Sequence, residues 1–532
     1  MPKPALPSGF LNVSQVAVRT LEKLGAEVVF GMPGMWSLPI YDALSESRIR
    51  HILVRHEQNA AYAADGYSRA SGRFGLCVGT SGPGAVNIAA GLAAPYKDHS
   101  PVIAVTGQVP SDEIGRGWIE DMDLQAVFRN VTKSTAQISD PCSAYDSVVE
   151  AYRSSLEGCP GPSHISIPGE IQMSSSQLKE YVPVLLKPEP DPTSVDQAID
   201  LILSSRAPLI LSGWGAIQSG AYEGIRQLAD CTSAPVATSY MGRGIVPEDA
   251  PVALGPAGRR GTASANKALE SCDLLIALGC RLSNLTIDQA KITSKVIQVD
   301  VEPKNFSPLA SLRVRGDVSL FLDAILPRLR CQRSGAMWAS KKAAAKEAGN
   351  AAMAFARAIT SFSDSIFSVD IGLHTIWTLT SLVAKNPRSV LFSGNLSAMG
   401  FSLPAAMGAK LAKPEARVVA VTGDGGFQMT SSELSTMKEN GIAVAVCVFD
   451  NKTLGLIRQL QMRVYNRSFG VDYSSPPDYV KLAEAHGVKA VTADRPSDVT
   501  DALRVVDEPI VIEIPITKDD SVPLANPRVL ER

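Results

Sequence analysis

The stretch from Val418 to Leu456, VVAVTGDGGFQMTSSELSTMKENGIAVAVCVFDNKTLGL, leaves the chain little choice of fold. An apolar run breaks at Gly423-Asp424-Gly425-Gly426, a helix-like segment follows, and a second apolar run, Ile442 to Phe449, ends on Asp450-Asn451. β-branched runs flanking an amphipathic helix read as a βαβ unit with parallel, buried strands. Both strands of such a unit end on the same edge of the sheet. Asp424 and Asn451 are therefore expected side by side, although 27 positions separate them. A carboxylate, an amide oxygen and nearby backbone carbonyls form an oxygen shell suited to Mg²⁺ that also holds phosphates. The glycines let the backbone approach such phosphates. GDGG by itself is equally a plain strand-to-helix turn; the DN pair after a full helix-plus-strand interval is what argues for a site.

A chain of 532 residues exceeds one core, so two to four domains are expected. The strand pattern divides it into three α/β blocks of Rossmann-like, doubly wound type with parallel sheets. Residues 1–183 carry AEVVFGMPG, HILVRHE, FGLCVGTSGPG, PVIAVTGQ and PSHISIPG. Residues 194–330 carry APLILSGWG, APVATSY, DLLIALG and KVIQVDVEP, and residues 351–532 carry FSVDIG, VLFSGN, RVVAVTGDG, AVAVCVFDN and EPIVIEIP. The Pro-rich Val184 to Thr193 reads as an extended linker, and the Ala/Lys-rich 331–350 as a solvated connecting helix. The first and third blocks share a strand rhythm, as two related domains do.

A net charge of −2, from 51 basic and 53 acidic residues, offers no basic stripe for nucleic acid. The N-terminus lacks an apolar signal region and no 18-residue apolar run occurs, so no membrane contact is expected. The eight cysteines are dispersed without a CxxC pair, which reads as reduced core residues of a cytoplasmic protein.

At GDGG…DN the residues carry a resemblance: the pattern is similar to the diphosphate–magnesium motif of thiamine diphosphate enzymes. That family usually reads NN where this chain has Asp450-Asn451. The resemblance implies Asp424, Asn451 and Thr453 as metal ligands, with Gly423, Gly425, Gly426, Leu454 and Gly455 lining the diphosphate. RHEQNAAYAADGYSRASG resembles the segment carrying the activating Glu of acetolactate synthases, which implies that Glu57 meets N1′ of the aminopyrimidine and exchanges a proton there. On the residues alone, Glu57 is also simply favourable at a helix start, and His56 beside it reads as packing. GMPG implies Pro33 and Gly34 near the pyrimidine, and TSGPGAVN implies Pro83 and Asn87 along the thiamine ring. SAMGF resembles the turn whose bulky residue bends the cofactor, implying Ser397 and Met399; DIGLH implies His374 near the diphosphate.

The resemblance spans nearly the whole chain and is strongest to the acetolactate synthase catalytic subunit. It implies three domains, binding the pyrimidine, a nucleotide and the diphosphate in that order. It also implies a homodimer or homotetramer with sites shared between chains, and a possible small regulatory subunit. The departures fall at substrate and flavin contacts. Ile119-Glu120 stands where the family has Phe-Gln, Gly169 where it has Lys, Leu460 where it has Trp, and Arg259-Arg260 where it has Met-His. Leu for Trp enlarges the pocket. The arginines either clamp an anion or sit on a solvated loop. Arg281 matches the Arg that holds an acceptor carboxylate. In the middle block, Gly213, Gly215, Gly258, Asp300 and Asp317 fit a nucleotide, with FAD, ADP or nothing as the family's alternatives.

The expected activity is decarboxylation of a pyruvate-like 2-oxo acid with carboligation to a second carbonyl. The alternatives are a non-ligating decarboxylase, a 2-hydroxyacyl-CoA or oxalyl-CoA type lyase, and a pyruvate oxidase betrayed by hydrogen peroxide. From other classes come a nicotinamide dehydrogenase, for which a strand-end GxGxxG is wanting, and a non-catalytic binding protein.

Overall fold

The computed structural model of the chain describes residues 10–287, 291–329 and 350–523. Three separate six-stranded sheets, each parallel throughout, carry the architecture. The first is built from Val28–Gly31, Arg50–Leu53, Gly75–Gly79, Val102–Gln108, Ser134–Gln137 and Ser163–Pro168. The second uses Pro208–Ser212, Val236–Thr238, Ala253–Pro256, Leu274–Leu278, Lys295–Asp300 and Leu312–Arg315. The third uses Ile366–Val369, Val390–Leu391, Val418–Gly423, Ala445–Asp450, Lys489–Thr492 and Ile510–Pro515. Counted in chain order within each sheet, the first and third run 2-1-3-4-6-5 across the sheet and the middle one 3-2-1-4-5-6. The shared rhythm of the outer blocks is thus a shared topology. In each sheet the winding reverses beside its first strand, and such a switch point opens a crevice at the carboxyl ends of the strands.

Four strands that the apolar pattern does not announce, Ser134–Gln137, Ala253–Pro256, Leu312–Arg315 and Lys489–Thr492, all lie at sheet edges. Three of them leave at least half their positions incompletely buried, so they carry polar residues instead of an apolar run; the fourth contains Gly255 and Pro256. The GDGG segment departs from the single helix expected after it: Asp424–Thr430 and Glu433–Asn440 are two short helices. The Pro-rich linker is without helix or strand as far as Asp191, which caps helix Pro192–Ser204. Of the stretch read as a connecting helix, all but Asn350 lies outside the described residues; Asn350 caps helix Ala351–Thr360. The seven cysteines among the described residues are free, as expected, but not all are core: Cys142 is exposed and Cys159 half-buried. Among the described residues no helix is long and apolar enough to cross a membrane.

Small residues join the outer domains. Helix Glu57–Ser71 lies so close to helix Ser402–Ala412 that a Cβ on Gly66 would sit 2.0 Å from the Ala405 carbonyl oxygen, and one on Gly408 1.9 Å from that of Ala63. The same helix carries Arg69, fully buried, with its guanidinium between Asp65 (2.7 Å) and Asp98 (3.1 Å). Asp98 in turn accepts the backbone N–H of Gly394 and of Asn395. A buried charge persists only when paired and hydrogen-bonded in this way.

Candidate active site

At the switch point of the third sheet, Gly423 pairs opposite Phe449, so Asp424 emerges beside Asp450 and Asn451. Asp424 opens helix Asp424–Thr430 and accepts the Gly425 N–H at 2.8 Å. Its other oxygen, Oδ2, is buried without a partner. Burial, with the Asp450 carboxylate next to it, pushes the Asp424 carboxyl up to about 7. His374 stacks along Phe449, ring centres 6.4 Å apart; burial pushes its imidazole down to about 3, so the ring is neutral, and its Nε2 also lacks a partner. Gly372 and Gly423 make room for that ring: a Cβ would lie 2.6 Å from it at the first and 3.0 Å at the second. Gly455 does the same for Asn451, whose Nδ2 would be 2.6 Å from a Cβ there. Thr453 is held by donating its hydroxyl to the Val471 carbonyl at 3.0 Å.

These groups line one cleft, which brings together every residue expected on the diphosphate side except Ser397. Ser397 instead shapes the turn, adopting φ 60° before Met399, whose Cε lies 3.3 Å from where Gly425 would carry a Cβ. The chemistry of the cleft fits a magnesium diphosphate. The Asp424 carboxyl, with the Asp450 carboxylate behind it, favours a dication, two orphaned polar atoms want partners, and glycines line the approach. Among the described residues no three His, Cys, Asp or Glu side chains cluster as a metal site; the cleft is lined by one acid, Asp424, and one amide, Asn451, oxygen groups of the kind Mg²⁺ uses.

A second convergence lies at the switch point of the first sheet. The ring of His56 is exposed and caps helix Glu57–Ser71, accepting the Gln58 N–H, a capping role where packing was expected. Glu57 is 9% exposed and accepts a hydrogen bond from Asn87 Nδ2 at 2.9 Å. A Cβ on Gly84 would lie 3.2 Å from Glu57 Oε1, and one on Gly34 2.6 Å from Thr80. Pro83 is exposed at the start of helix Pro83–Asp98, and Pro33 is exposed beside Gly34. Glu120 adopts φ 64°; its carbonyl accepts from Ser81 Oγ at 3.0 Å, and its carboxylate approaches Thr80 Oγ1 at 3.5 Å. Ile119 beside it is 67% exposed. Gly169 packs on the Trp36 ring, 3.3 Å from a Cβ placed there. Glu57 is not among the residues lining the Asp424 cleft, all of which come from 371–516.

The third convergence, a cavity of about 250 Å³, lies at the switch point of the middle sheet and reaches the other two domains. Gly213, Gly215, Asp300 and Asp317 line it; Gly258 does not, being packed on the Leu285 carbonyl. The glycines also serve packing, since a Cβ on Gly213 would lie 2.1 Å from the Gly279 carbonyl oxygen. Asp317 already accepts from Ser219 Oγ (2.8 Å) and the Ser319 N–H (3.0 Å). Trp214 contributes an indole N–H that is buried without a partner, which fits a polar ligand. Arg281 lines this cavity and not the Asp424 cleft, donating to Asn395 Oδ1 at 2.8 Å. Arg259 and Arg260 are both exposed, and partial desolvation lowers the pKa of Arg260. Leu460 is half-buried on helix Gly455–Tyr465, one turn beyond Leu456 and Ile457, which line the cleft. Sequence reasoning did not single out Trp36, Gly279 or Asn395; Gly279 ends the DLLIALG segment and Asn395 the VLFSGN segment, but their neighbours are set only by the fold.

Comparison with known proteins agrees with this layout. Residues 11–127, 195–325 and 370–514 match, respectively, the N-terminal TPP binding, central and C-terminal TPP binding domains of the thiamine pyrophosphate enzymes. The probable acetolactate synthase large subunit of Methanocaldococcus jannaschii is 38% identical, over 97% of this chain and 93% of the relative. The acetolactate synthase large subunit IlvB1 of Mycobacterium tuberculosis is 34% identical over 96% and 89%, and that of Lactococcus lactis 33% over 96% and 93%.

Proposed function

Since the chain belongs to the thiamine pyrophosphate enzyme family, with acetolactate synthase large subunits among its relatives, we propose that it decarboxylates a pyruvate-like 2-oxo acid with Mg²⁺ and ligates the remaining acyl unit to a second carbonyl. The observation that carries this reading is the pair of unsatisfied buried atoms, Asp424 Oδ2 and His374 Nε2, in one glycine-lined cleft. When bound, thiamine diphosphate supplies the electron sink that lets a bond to a carboxylate carbon break. Asp424, Asn451 and Thr453 hold the metal ion, and His374, neutral at working pH, meets the diphosphate. Glu57 shuttles a proton at its carboxyl group, which Asn87 orients by donating to Oε2. Pro33, Gly34 and Pro83 shape the pyrimidine side, Leu454 and Gly455 the diphosphate side, and Met399 supports the bend between them.

Glu57 does not line the Asp424 cleft, which supports a complete site assembled with Glu57 from a second copy, in a homodimer or homotetramer. The large-subunit relatives make a small regulatory partner part of the reading. The middle cavity takes FAD, with ADP as the alternative.

The test is a product screen. Purified protein with thiamine diphosphate and Mg²⁺ should release CO₂ from pyruvate and form acetolactate; CO₂ with free aldehyde points instead to the non-ligating decarboxylase. Failure of both, with turnover of an acyl-CoA thioester, favours the lyase reading, in which the exposed Arg259 beside Arg260 binds a nucleotide phosphate. Bound flavin should appear as visible absorption in the same sample. Met399→Ala should lower turnover roughly 10-fold with cofactor affinity nearly unchanged, because misplacing reacting atoms affects rate before binding.

A further inference from the structure

Asp370 is 1% exposed, and the donors that reach its carboxylate are all neutral. It stands at the end of the first strand of the third sheet, where four parts of the proposed cofactor site meet. Its Oδ1 accepts the Ile371 N–H at 2.8 Å, which begins the loop to His374. The Gly400 N–H reaches both oxygens, at 3.0 and 2.9 Å, fastening the turn that carries Met399. Oδ2 accepts the Thr422 hydroxyl at 3.0 Å, two residues before Asp424. The same oxygen fills the space over Gly426, 2.3 Å from where a Cβ would be, so the last glycine of GDGG is shaped around it. Thr375 donates its hydroxyl to the Asp370 carbonyl, tying in the His374 helix.

A buried carboxylate surrounded by neutral donors is costly, and burial pushes Asp370 up to about 6. An aliphatic side chain would fill the volume. What it could not do is accept from several backbone and hydroxyl donors at once, and an amide would turn N–H groups toward N–H groups. The turn it holds places Ser397 in the left-handed region, φ 60°, at a cost a non-glycine residue bears, while Gly400, φ 80°, adopts it freely. Next to it, Phe401 packs edge-on against Tyr62, 5.5 Å between ring centres, on the helix that Glu57 begins. The carboxylate thus touches the turn, the GDGG helix and the His374 loop, and the turn leads on to the Glu57 helix.

We propose that Asp370 is a positioning residue that fixes the Met399 turn against the GDGG loop, and so sets the pose of the cofactor without touching it. The proposal rests on the thiamine reading of the cleft. Its test is a double-mutant cycle between Asp370→Asn and Met399→Ala, with the full chain and Mg²⁺. Thiamine diphosphate affinity is read by quenching of Trp377, which lines the cleft, and turnover is read at saturating cofactor. Asp370→Asn alone should lower turnover about 10-fold or more, and Met399→Ala should then add little, as expected when two changes break one unit. Additive effects, or wild-type turnover in Asp370→Asn, overturn the proposal, since a purely structural residue lowers the melting temperature without abolishing Met399's effect. Should Asp370→Asn not fold, Thr422→Val removes one donor and keeps the carboxylate; it should give a smaller, still non-additive loss, and additivity overturns the proposal there too. A wild-type chain that shows no quenching with thiamine diphosphate and Mg²⁺ refutes the thiamine reading instead.

Discussion

Glu57→Gln should lose at least ~10²-fold in turnover while binding thiamine diphosphate nearly as well, the range typical of removing a proton-transfer group. The substitution is nearly isosteric. It keeps an oxygen that can accept from Asn87 Nδ2 and leaves the glycine-lined space at Gly84 unchanged. It also leaves the helix cap on His56 intact. Only the ability to take and return a proton is lost. The measurement is CO₂ release at saturating cofactor, together with a melting curve; wild-type-like turnover in a folded variant would remove Glu57 from the reaction. Asn87→Ala should give a smaller loss, because it frees the carboxyl group without neutralising it.

Asp424→Asn should weaken Mg²⁺-dependent cofactor binding by more than ~10²-fold, since changing a residue that only hydrogen-bonds to a metal ligand commonly costs about 10–100-fold. Chelation of Mg²⁺ should release the cofactor from the wild type in the same way. The sign of the stability change separates this from misfolding. Burial and the neighbouring Asp450 raise the proton affinity of Asp424, so the cofactor-free fold loses stability as pH rises from the ordinary carboxylate range to about 7, and above that the full penalty of the ionised group is present. A neutral Asn removes that penalty, and the cofactor-free variant should melt no lower than wild type at pH 8. A variant that melts lower and still binds the cofactor would exclude Asp424 as the metal ligand. Local cost retained at a binding site is a familiar arrangement.

Much of this was legible in one dimension. Central strands are buried on both faces and spell apolar runs; of the eighteen strands in the three six-stranded sheets fourteen could be read directly, all twelve central ones among them, and the four left out are edge strands. GDGG and DN could be joined across the chain because a βαβ unit has one possible handedness and brings both strand ends to one edge. Asp370 was visible as part of DIGLH, but nothing in that motif shows that its carboxylate meets Gly400 and Thr422, since those contacts span 30 and 52 positions. Arg281 shows the opposite limit: its motif marks it as an anion-binding residue without saying which cavity it faces, and the fold turns it toward Asn395.

The sequence by itself determined the class of fold, the cofactor type and the two chain segments that could hold its ends, because these depend on local periodicity and on motifs a few residues long. Only the tertiary structure decided which groups share a cavity. Glu57 and Asp424 open helices at switch points of different sheets, and their separation follows from how the small-residue helices Glu57–Ser71 and Ser402–Ala412 pack. The GDGG…DN stretch therefore specifies one cleft, and the packing of whole domains decides that Glu57 does not line it.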